Sequence, residues 1–402
     1  MRGVLERPSA MRRTLVLGDL HLSSHTPKAV SDDLAALVRA HPGARIAVAG
    51  DFFDLSAETP RVSSDRAIEA GFAAYPHVRA ALGEHVEKGG ELIFLAGNHD
   101  PELGQPDAKE RIGSALALVG AARERVTVSP WFFRDETLHL EHGHLFDPDN
   151  APEHPLAIPR ASLGVHFVEE FIAPTRAFSY LNTNDHTPLS LFFSAFRLYG
   201  PRGPYVVYKY FDAAAKALAK SGPFYLGHHE AARGEAGMSA FLATAGATRE
   251  LADAVLSLRA APTMRSLSDT IARLYLDRVV STVSILAGVG MLATGRFSAS
   301  AGLVALGALG LAVSWSRGHD RYGGSVPLRL AGAGVELARA TGAKLVVFGH
   351  AHVSAEGEGY ANTGSFAFPR SEPGRSYLEI EGTASNPRAV RRYWGAPSAE
   401  KP

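Results

Sequence analysis

Histidine, aspartate and asparagine residues recur in five short blocks, each of which follows an apolar run. In chain order the blocks are GDLH (residues 18–21), GDFFD (50–54), GNHD (97–100), HGH (142–144) and GHAH (349–352). Carboxylates and imidazoles mixed in this way suit Mn, Fe or Zn better than an all-oxygen Mg or Ca site. Seven metal ligands drawn from these blocks would be too many for one open catalytic ion, whereas two ions that share a carboxylate use them well. Singly, each block is often no more than a turn; together, in this order, they predict a two-metal site.

The elements that must position these blocks alternate between short apolar runs and helical periodicity. Strands are predicted at residues 14–17, 45–49, 92–96 and 345–348, with helices at 28–40, 64–88, 107–119 and 326–341. This alternation is typical of an α/β fold, in which functional groups lie at the carboxyl ends of the strands. Two further short strands, 125–129 and 137–141, have no helix between them, so the sheet is expected to be mixed. Because residues i and i+2 of an extended chain point the same way, His350 and His352 can face one metal centre.

Length and composition limit the class of protein. A chain of 402 residues suits two or three domains, and a formal net charge of zero gives no electrostatic footprint for nucleic acid, so no nucleic-acid partner is expected. The absence of cysteine excludes a disulfide framework, thiolate metal ligands and a cysteine nucleophile. The first residues lack an apolar segment typical of a signal peptide. The catalytic part is therefore expected in the cytoplasm.

The alternation of strands and helices stops near residue 150 and resumes near residue 325. We therefore predict a catalytic domain in two parts, residues 1–150 and 325–384, an inserted helical region at 151–324, and a loosely held C-terminal tail at 385–402. Two uncharged stretches, 279–295 and 298–315, predict an apolar helical hairpin within the insertion. Each helix would be about 25 Å long, slightly less than the roughly 30 Å hydrocarbon core of a bilayer. The hairpin either spans or dips into a membrane, or it is a buried helical cap or an oligomer interface.

The five blocks resemble those of the calcineurin-like metallophosphoesterases, over residues 13–150 and 325–382. The resemblance implies a β-sandwich of mixed sheets flanked by helices, and hydrolysis of a phosphate ester. It also implies two ions, with manganese expected and iron or zinc as alternatives. One ion would be held by Asp19, His21, Asp51 and His352. The other would be held by Asp51, Asn98, His142 and His350, with Asp51 bridging the two.

The resemblance leaves several neighbours of the ligands with expected roles. His99 is expected to stabilise the phosphoryl charge or to protonate the leaving oxygen. Asp100 is expected to fix the tautomer of His99. Asp54 is expected to be a loop carboxylate or to support the ligands from behind. His144 is either a ligand or such a support, because the sequence does not tell which histidine of HGH faces the metal.

Within that family, the chain is most similar to the UDP-2,3-diacylglucosamine hydrolases. The shared features are GDLHLS (18–23), the start of the GDFFD block, the HG pair and a helical insertion; the third block has His99 where that group usually has arginine, and Asp54 stands where glutamate is usual. The resemblance implies a lipid-linked pyrophosphate as substrate. It also implies a location at the cytoplasmic face of a bacterial inner membrane, either peripheral or inserted by the hairpin. A general or phospholipid phosphodiesterase or phosphatase, and a non-catalytic scaffold, remain alternatives, and the oligomeric state stays open.

Overall fold

The computed structural model describes residues 12–58, 62–157, 162–177, 195–318, 326–383 and 385–395. The chain forms two compact units. We call the first the sheet unit, which comprises Met1–Ala161, Gly227–Ala261 and Val326–Pro402. The second, the hairpin unit, comprises Ser162–Leu226 and Pro262–Ser325. The region predicted as one insertion is thus shared between the units, because residues 227–261 pack with the sheets.

The strands that the described residues form all lie in the sheet unit. Their bounds are β1 Thr14–Leu17, β2 Arg45–Val48, β3 Glu91–Leu95, β4 Val126–Ser129, β5 Phe132–Asp135, β6 Leu138–Glu141, β7 Leu345–Phe348, β8 Ser354–Gly357, β9 Tyr360–Thr363, β10 Arg375–Thr383 and β11 Asn386–Trp394. They form a six-stranded sheet in the order β11-β10-β1-β2-β3-β4 and a five-stranded sheet in the order β5-β6-β7-β9-β8. Strands β1 to β4 are parallel, as are β6, β7 and β9. Strands β10 and β11 in the first sheet, and β5 and β8 in the second, pair antiparallel with their neighbours. The predicted mixed α/β fold with two mixed sheets is confirmed.

The helices belong to both units. Their bounds are α1 Lys28–Ala40, α2 Ala67–Ala74, α3 Pro76–Glu87, α4 Ala108–Ala115, α5 Leu163–Phe167, α6 Ala173–Thr175, α7 Gly203–Ala219, α8 Gly227–Ala245, α9 Arg249–Ser257, α10 Leu267–Arg273, α11 Leu276–Leu292, α12 Phe297–Ser316 and α13 Val326–Thr341. The single helix predicted at 64–88 is in fact two helices, α2 and α3. Pro76 starts the second helix, since proline lacks the backbone N–H that a helix interior requires.

The period of two along each strand builds three apolar layers. Leu15 and Leu17 of β1 face the layer that contains helices α1 to α4. Val16, which points to the opposite face, packs in the layer between the two sheets, where it shares a cluster with Leu140 and Val347. A third cluster covers the outer face of the second sheet with residues of α8, α9 and α13. The two sheets are therefore buried on both faces, which explains their near-continuous apolar sequences.

The C-terminal segment is more ordered than predicted. Residues Asn386 to Trp394 form β11, which pairs with β10 along nine residues, from Arg375↔Trp394 to Thr383↔Asn386. The prediction of a loosely held tail from residue 385 was wrong for this strand. Strand β11 lies at the edge of the sheet, where exposed and charged side chains are tolerated, so it lacks the apolar signal by which a buried strand is recognised.

The hairpin unit contains the two apolar helices that the sequence predicts. Helices α11 and α12 run antiparallel and are joined by residues 293–296; together they form the apolar hairpin. Helix α12 is long and apolar enough to cross a membrane, and α10 with α11 pass the same test only as a pair bent by 72°. In the first part of the unit, Tyr210 of α7 packs against Phe167 and Phe171, with ring centroids 5.6 Å and 5.5 Å apart.

Candidate metal centre

The five blocks follow the carboxyl ends of strands in both sheets. Asp19 and His21 follow β1, Asp51 follows β2, Asn98 and His99 follow β3, His142 follows β6, and His350 and His352 follow β7. In each sheet these strands are parallel neighbours, so their loops start at the same edge. The loops are also bonded to one another, since the backbone N–H groups of Leu20 and His21 both donate to the Asp51 carbonyl at 2.9 Å.

Five of the predicted ligands have a left-handed backbone conformation. Their φ angles lie between 47° and 66°, at Asp19, His21, Asp51, His350 and His352. This conformation costs a residue other than glycine on the order of 1 kcal/mol or more, and it persists only where the surroundings enforce it. Such strain is concentrated at functional sites, so its occurrence at five predicted ligands supports a functional role for the blocks.

The predicted ligands of the first centre converge on one point. The Nε2 atoms of His21 and His352 are 3.0 Å apart, and the Nε2 atom of His352 is 3.2 Å from Asp19 Oδ1. The Nε2 atom of His21 is also 3.7 Å from Asp51 Oδ2. Two ring nitrogens face each other beside two carboxylates, so this cluster has more hydrogen-bond acceptors than protons to satisfy them. This donor set fits a divalent cation.

The second centre shows the same excess of acceptors. The Nδ1 atom of His142 lies 2.8 Å from the Ala49 carbonyl, so it carries a proton, and Nε2 is the nitrogen that can face a metal ion. That Nε2 atom is 3.0 Å from Asn98 Oδ1 and 3.3 Å from Asp51 Oδ2. Burial lowers the pKa of His142, but the charge of Asp51 outweighs it and raises the pKa to about 9. The strong preference for a positive charge at this point is what a metal ion would satisfy.

Asp51 lies between the two centres, as the bridging assignment requires. Its Oδ1 atom accepts the backbone N–H of His99 at 2.9 Å, whereas its Oδ2 atom faces His21 and His142. A Cβ atom on Gly97 would come within 1.9 Å of Oδ1, which explains why glycine precedes Asn98. Burial raises the pKa of Asp51, but the charges of His142 and His99 hold it well below its usual value. Asp51 is therefore ionised and available to both centres.

His350 occupies a different position from the other predicted ligands. Its ring centroid is 5.1 Å from that of His142, but its Nε2 atom lies 2.9 Å from Asp147 Oδ2. Among the described residues, the acidic and histidine side chains close enough to share an ion form the groups Asp19/His21/His352, Asp19/Asp51/His142 and His21/Asp54/His99. The first group lies within the first predicted centre. The second group joins Asp51 and His142 of the second predicted centre with Asp19, which was assigned to the first, and His350 is outside all three groups. Its assignment as a ligand stays a prediction, with Nδ1 as the nitrogen that Asp147 leaves open.

The catalytic candidate His99 pairs with Asp54. Its Nδ1 atom is 2.8 Å from Asp54 Oδ1 and 3.1 Å from Ser56 Oγ, and the Ser56 hydroxyl donates to the same carboxylate oxygen at 2.9 Å. Burial lowers the pKa of His99, but the charges of Asp54 and Asp51 raise it to about 10. The carboxylates of Asp54 and Asp51 therefore favour the protonated form of the His99 ring. Its centroid lies 4.8 Å from that of His21, so this ring adjoins the first centre.

Asp100 does not orient His99, and that prediction was wrong. Its Oδ2 atom accepts the backbone N–H groups of Phe52 and Phe53 at 2.7 Å and 3.1 Å, and its Oδ1 atom accepts that of Gly97 at 2.8 Å. Burial and the charge of Asp51 raise the pKa of Asp100 to about 7. These three backbone N–H groups occupy the Asp100 carboxylate, whereas the His99 ring pairs with Asp54. Asp100 ties the loops after β2 and β3 together instead.

The sequence reasoning missed three polar residues near the centre: Ser56, Asp147 and Asn150. The last two lie in the segment DPDN (147–150), whose aspartate, proline and asparagine are a turn signal two residues after the HGH block. His144 is buried, with its ring centroid 5.2 Å from that of His142, and its role stays open.

Two packed mixed sheets flanked by helices, with carboxylates and imidazoles gathered at the strand ends, define an α/β domain that could bind metal ions. The family model of the calcineurin-like phosphoesterases matches residues 12–215, about half of the chain. The protein therefore belongs to the calcineurin-like phosphoesterase family, as its sequence blocks predict. A search of the curated proteins found no match to this chain.

Proposed function

We propose that the protein is a two-metal phosphoesterase that hydrolyses a phosphodiester or pyrophosphate bond in a lipid-linked substrate such as UDP-2,3-diacylglucosamine. The observation that carries the reaction class is the position of Asp51. Its Oδ2 atom lies 3.7 Å and 3.3 Å from ring nitrogens that belong to two separate ligand sets. A shared carboxylate between two sets is the arrangement that two ions acting on one phosphoryl group require.

The protein's own residues divide the work of this reaction. Asp19, His21 and His352 would hold one ion, Asn98, His142 and His350 the other, and Asp51 both. When bound, two divalent ions would make water a nucleophile near neutral pH and offset the phosphoryl charge. His99 would supply a proton, and Asp54 fixes the ring by its bond to Nδ1. The remaining Nε2–H of His99 would protonate the leaving oxygen.

The apolar hairpin supports a lipid-linked substrate. Its large side chains are exposed along both helices, with Val280 and Leu286 of α11 at 65% and 64%, and Leu306 and Leu309 of α12 at 64% and 62%. Its buried residues are small: Ser281, Gly288, Ser300, Gly307 and Ser314. In water, each exposed large side chain lacks the roughly 1.5–3 kcal/mol of stabilisation that its burial would give. In a bilayer it is favourable, because hydrocarbon surrounds the large side chains and small residues let helices pack closely.

The small residues form one seam between the two helices. They recur every seven positions, at 281 and 288 on α11 and at 300, 307 and 314 on α12. A Cβ atom on Gly307 would come within 2.6 Å of the Ser281 carbonyl, so only glycine permits this approach. The Ser300 hydroxyl donates to the Gly288 carbonyl at 2.6 Å across the seam. The hairpin therefore packs by backbone proximity and hydrogen bonds, which are the contacts that hold helices together in lipid.

The open end of the hairpin has the composition of a membrane interface. The guanidinium of Arg278 lies 4.7 Å from the ring centroid of Tyr275 and 5.5 Å from that of Trp315. Aromatic rings and arginine are enriched at the level of the headgroups, and basic residues favour the cytoplasmic side. We infer that the hairpin inserts into the cytoplasmic face of a membrane, in a bacterium the inner membrane. The enzyme would then act on a phosphate ester whose acyl chains lie in the same bilayer.

The test of the reaction uses the full chain, purified in detergent and loaded with Mn²⁺. It compares bis(p-nitrophenyl) phosphate, UDP-2,3-diacylglucosamine, a panel of phospholipids, and UDP-N-acetylglucosamine as a soluble counterpart without acyl chains. We expect metal-dependent release of nucleotide or headgroup, with the lipid substrates hydrolysed faster than the soluble one. Absence of metal-dependent hydrolysis of every substrate contradicts the reaction class. Equal or faster hydrolysis of soluble substrates contradicts only the lipid-linked assignment.

The test of the membrane location is flotation of the full chain with vesicles of phosphatidylethanolamine and phosphatidylglycerol. We expect the protein to rise with the vesicles and to require detergent for extraction. A protein that stays in the soluble fraction, as a monomer or as a dimer by light scattering, contradicts the membrane assignment and favours a cap or an oligomer interface.

A further inference from the structure

Two residues behind the second centre contact two of its proposed ligands. Asp147, which is buried, lies in the loop after β6, and its Oδ2 atom lies 2.9 Å from His350 Nε2 and 2.8 Å from Asn150 Nδ2. The other end of the Asn150 amide, Oδ1, accepts from Asn98 Nδ2 at 3.2 Å. One carboxylate is thus connected to His350 directly and to Asn98 through Asn150.

The direction of each hydrogen bond is set by chemistry. An ionised carboxylate only accepts, so Asp147 requires the N–H end of the Asn150 amide and a proton on His350 Nε2. The Asn150 amide must then present its oxygen to Asn98, which turns the NH₂ group of Asn98 toward it. The Oδ1 atom of Asn98 consequently faces His142 Nε2, at 3.0 Å. Likewise, the lone pair of His350 is left on Nδ1.

The turn that carries Asp147 and Asn150 is itself fixed. Asp147 Oδ1 accepts the backbone N–H of Asp149 at 3.1 Å, and the Asp147 carbonyl accepts that of Asn150 at 2.9 Å. Pro148 restricts the intervening backbone further. The pair therefore presents a preset arrangement to the ligands.

We propose that Asp147 and Asn150 are positioning residues that select the metal-binding atoms of His350 and Asn98, and so create the affinity of the second centre. The inference rests on the proposed two-metal function. Outer partners that orient ligands in this way typically change metal affinity about 10–100-fold. The first centre, whose ring nitrogens and carboxylates do not contact this pair in the described hydrogen bonds, keeps its affinity.

The experiment titrates Mn²⁺ into the full-length apoprotein and follows binding by calorimetry and by the electron paramagnetic resonance signal of an exchange-coupled manganese pair. For Asp147→Ala and Asn150→Ala we expect one Mn²⁺ to bind as in the wild type and the other to bind about 10–100-fold more weakly. The signal of the coupled manganese pair should be weaker than that of the wild type at the same Mn²⁺ concentration. Asp147→Ala should have the larger effect, because it affects both ligands. The double variant should bind the second Mn²⁺ no more weakly than Asp147→Ala alone, since Asp147 acts on Asn98 through Asn150.

A matched control is Asp149→Asn, a change in the same turn, which should leave both affinities and the coupled signal intact. Thermal unfolding and circular dichroism exclude a folding defect, and Asn150→Ser provides a smaller truncation if an alanine variant unfolds. Two Mn²⁺ bound with wild-type affinity and a coupled signal in folded Asp147→Ala and Asn150→Ala variants would overturn the inference. Failure of the wild type to bind two Mn²⁺ would instead contradict the proposed function.

Discussion

In the sheet unit, rings as large as those of Phe52 and Phe348 are 1% and 0% exposed, whereas in the apolar hairpin Leu286 and Leu309 are 64% and 62% exposed. The hairpin buries serine and glycine instead. The sheet unit reverses this choice, and its buried polar side chains include those of the candidate metal centre, where Asp19, Asp51 and His142 are almost inaccessible. The hydrophobic effect accounts for both parts if they fold in different solvents, water for one and hydrocarbon for the other.

The two regions also bring backbone segments close together in different ways. At the metal centre, strained left-handed residues and Gly97 bring charged side chains together, and each charge needs a partner. In the hairpin, Gly288 and Gly307 bring together two helices whose backbone groups are already bonded internally, so close approach adds contact without exposing polar groups. Backbone strain accompanies the candidate metal site, whereas the close packing of the hairpin relies on glycine and involves no such strain at Gly288 and Gly307.

The largest effect is expected from Asp51→Asn, which removes the charge shared by the two centres. Two ions stabilise transition-state charge by several kcal/mol, so loss of the bridge should lower kcat on bis(p-nitrophenyl) phosphate by roughly a thousandfold or more. The bound metal should fall from two ions per chain to one or none, measured by mass spectrometry. Asp32→Asn, on the exposed surface of α1, is the control. An Asp51→Asn protein with two metals and near-normal activity contradicts the bridging role.

The second-largest effect is expected from a charge introduced into the apolar hairpin. Leu286→Asp in α11 should weaken flotation with vesicles by about a hundredfold, because an aspartate at the centre of a membrane helix costs about 3 kcal/mol relative to leucine. Leu328→Asp in α13, where the leucine is 77% exposed in the sheet unit, is the matched control and should float as the wild type does. If both variants float equally, the hairpin is not in contact with hydrocarbon, and the difference between the two regions needs another explanation.

A third change tests whether His99 of the sheet unit acts as a proton donor. His99→Gln should reduce kcat by about a hundredfold on a substrate with a weakly acidic leaving group. The loss should be smaller on bis(p-nitrophenyl) phosphate, whose leaving group needs little protonation, and the metal content should not change. Equal losses on both substrates would argue for charge stabilisation rather than proton donation by His99.

The smallest effect is a pH dependence that both units share. His85 in the sheet unit and His166 in the hairpin unit are buried, with Nε2 atoms 3.1 Å and 2.9 Å from the carbonyls of Ala44 and Ala213. Burial lowers the pKa of each below the ordinary value of 6.5, so the unfolded chain binds more protons than the folded one at acid pH. Their contribution to stability is therefore present above about pH 6.5 and lost as the pH falls below it.

The measurement is the midpoint of thermal unfolding in detergent between pH 7.5 and 5. His85→Gln and His166→Gln should each flatten the decline of the midpoint toward acid pH by about 2 °C or less. A wild-type midpoint that does not decline below pH 6.5, or variants that decline as steeply as the wild type, would show that these histidines are not linked to folding.

Most of the sheet unit was predictable because its signals are local. Strand β7 and helix α13 lie where the apolar run and the helical period place them, and each metal block directly follows its strand. The mixed sheets follow from strands that lack an intervening helix. Strand β11 escaped prediction because its side chains face solvent at the edge of the sheet, where no burial pattern marks a strand.

The sequence by itself determined the set of candidate metal ligands and the apolar composition of the hairpin, since residue type and short spacing are enough to specify both. Only the tertiary structure decided that Asp54 rather than Asp100 bonds His99, and that Asp147 bonds His350, which lies 203 residues further along the chain. It also decided that the hairpin turns its small residues inward. The physical reason is that a hydrogen-bond partner or a packing face depends on which groups meet in space, and no local periodicity carries that information.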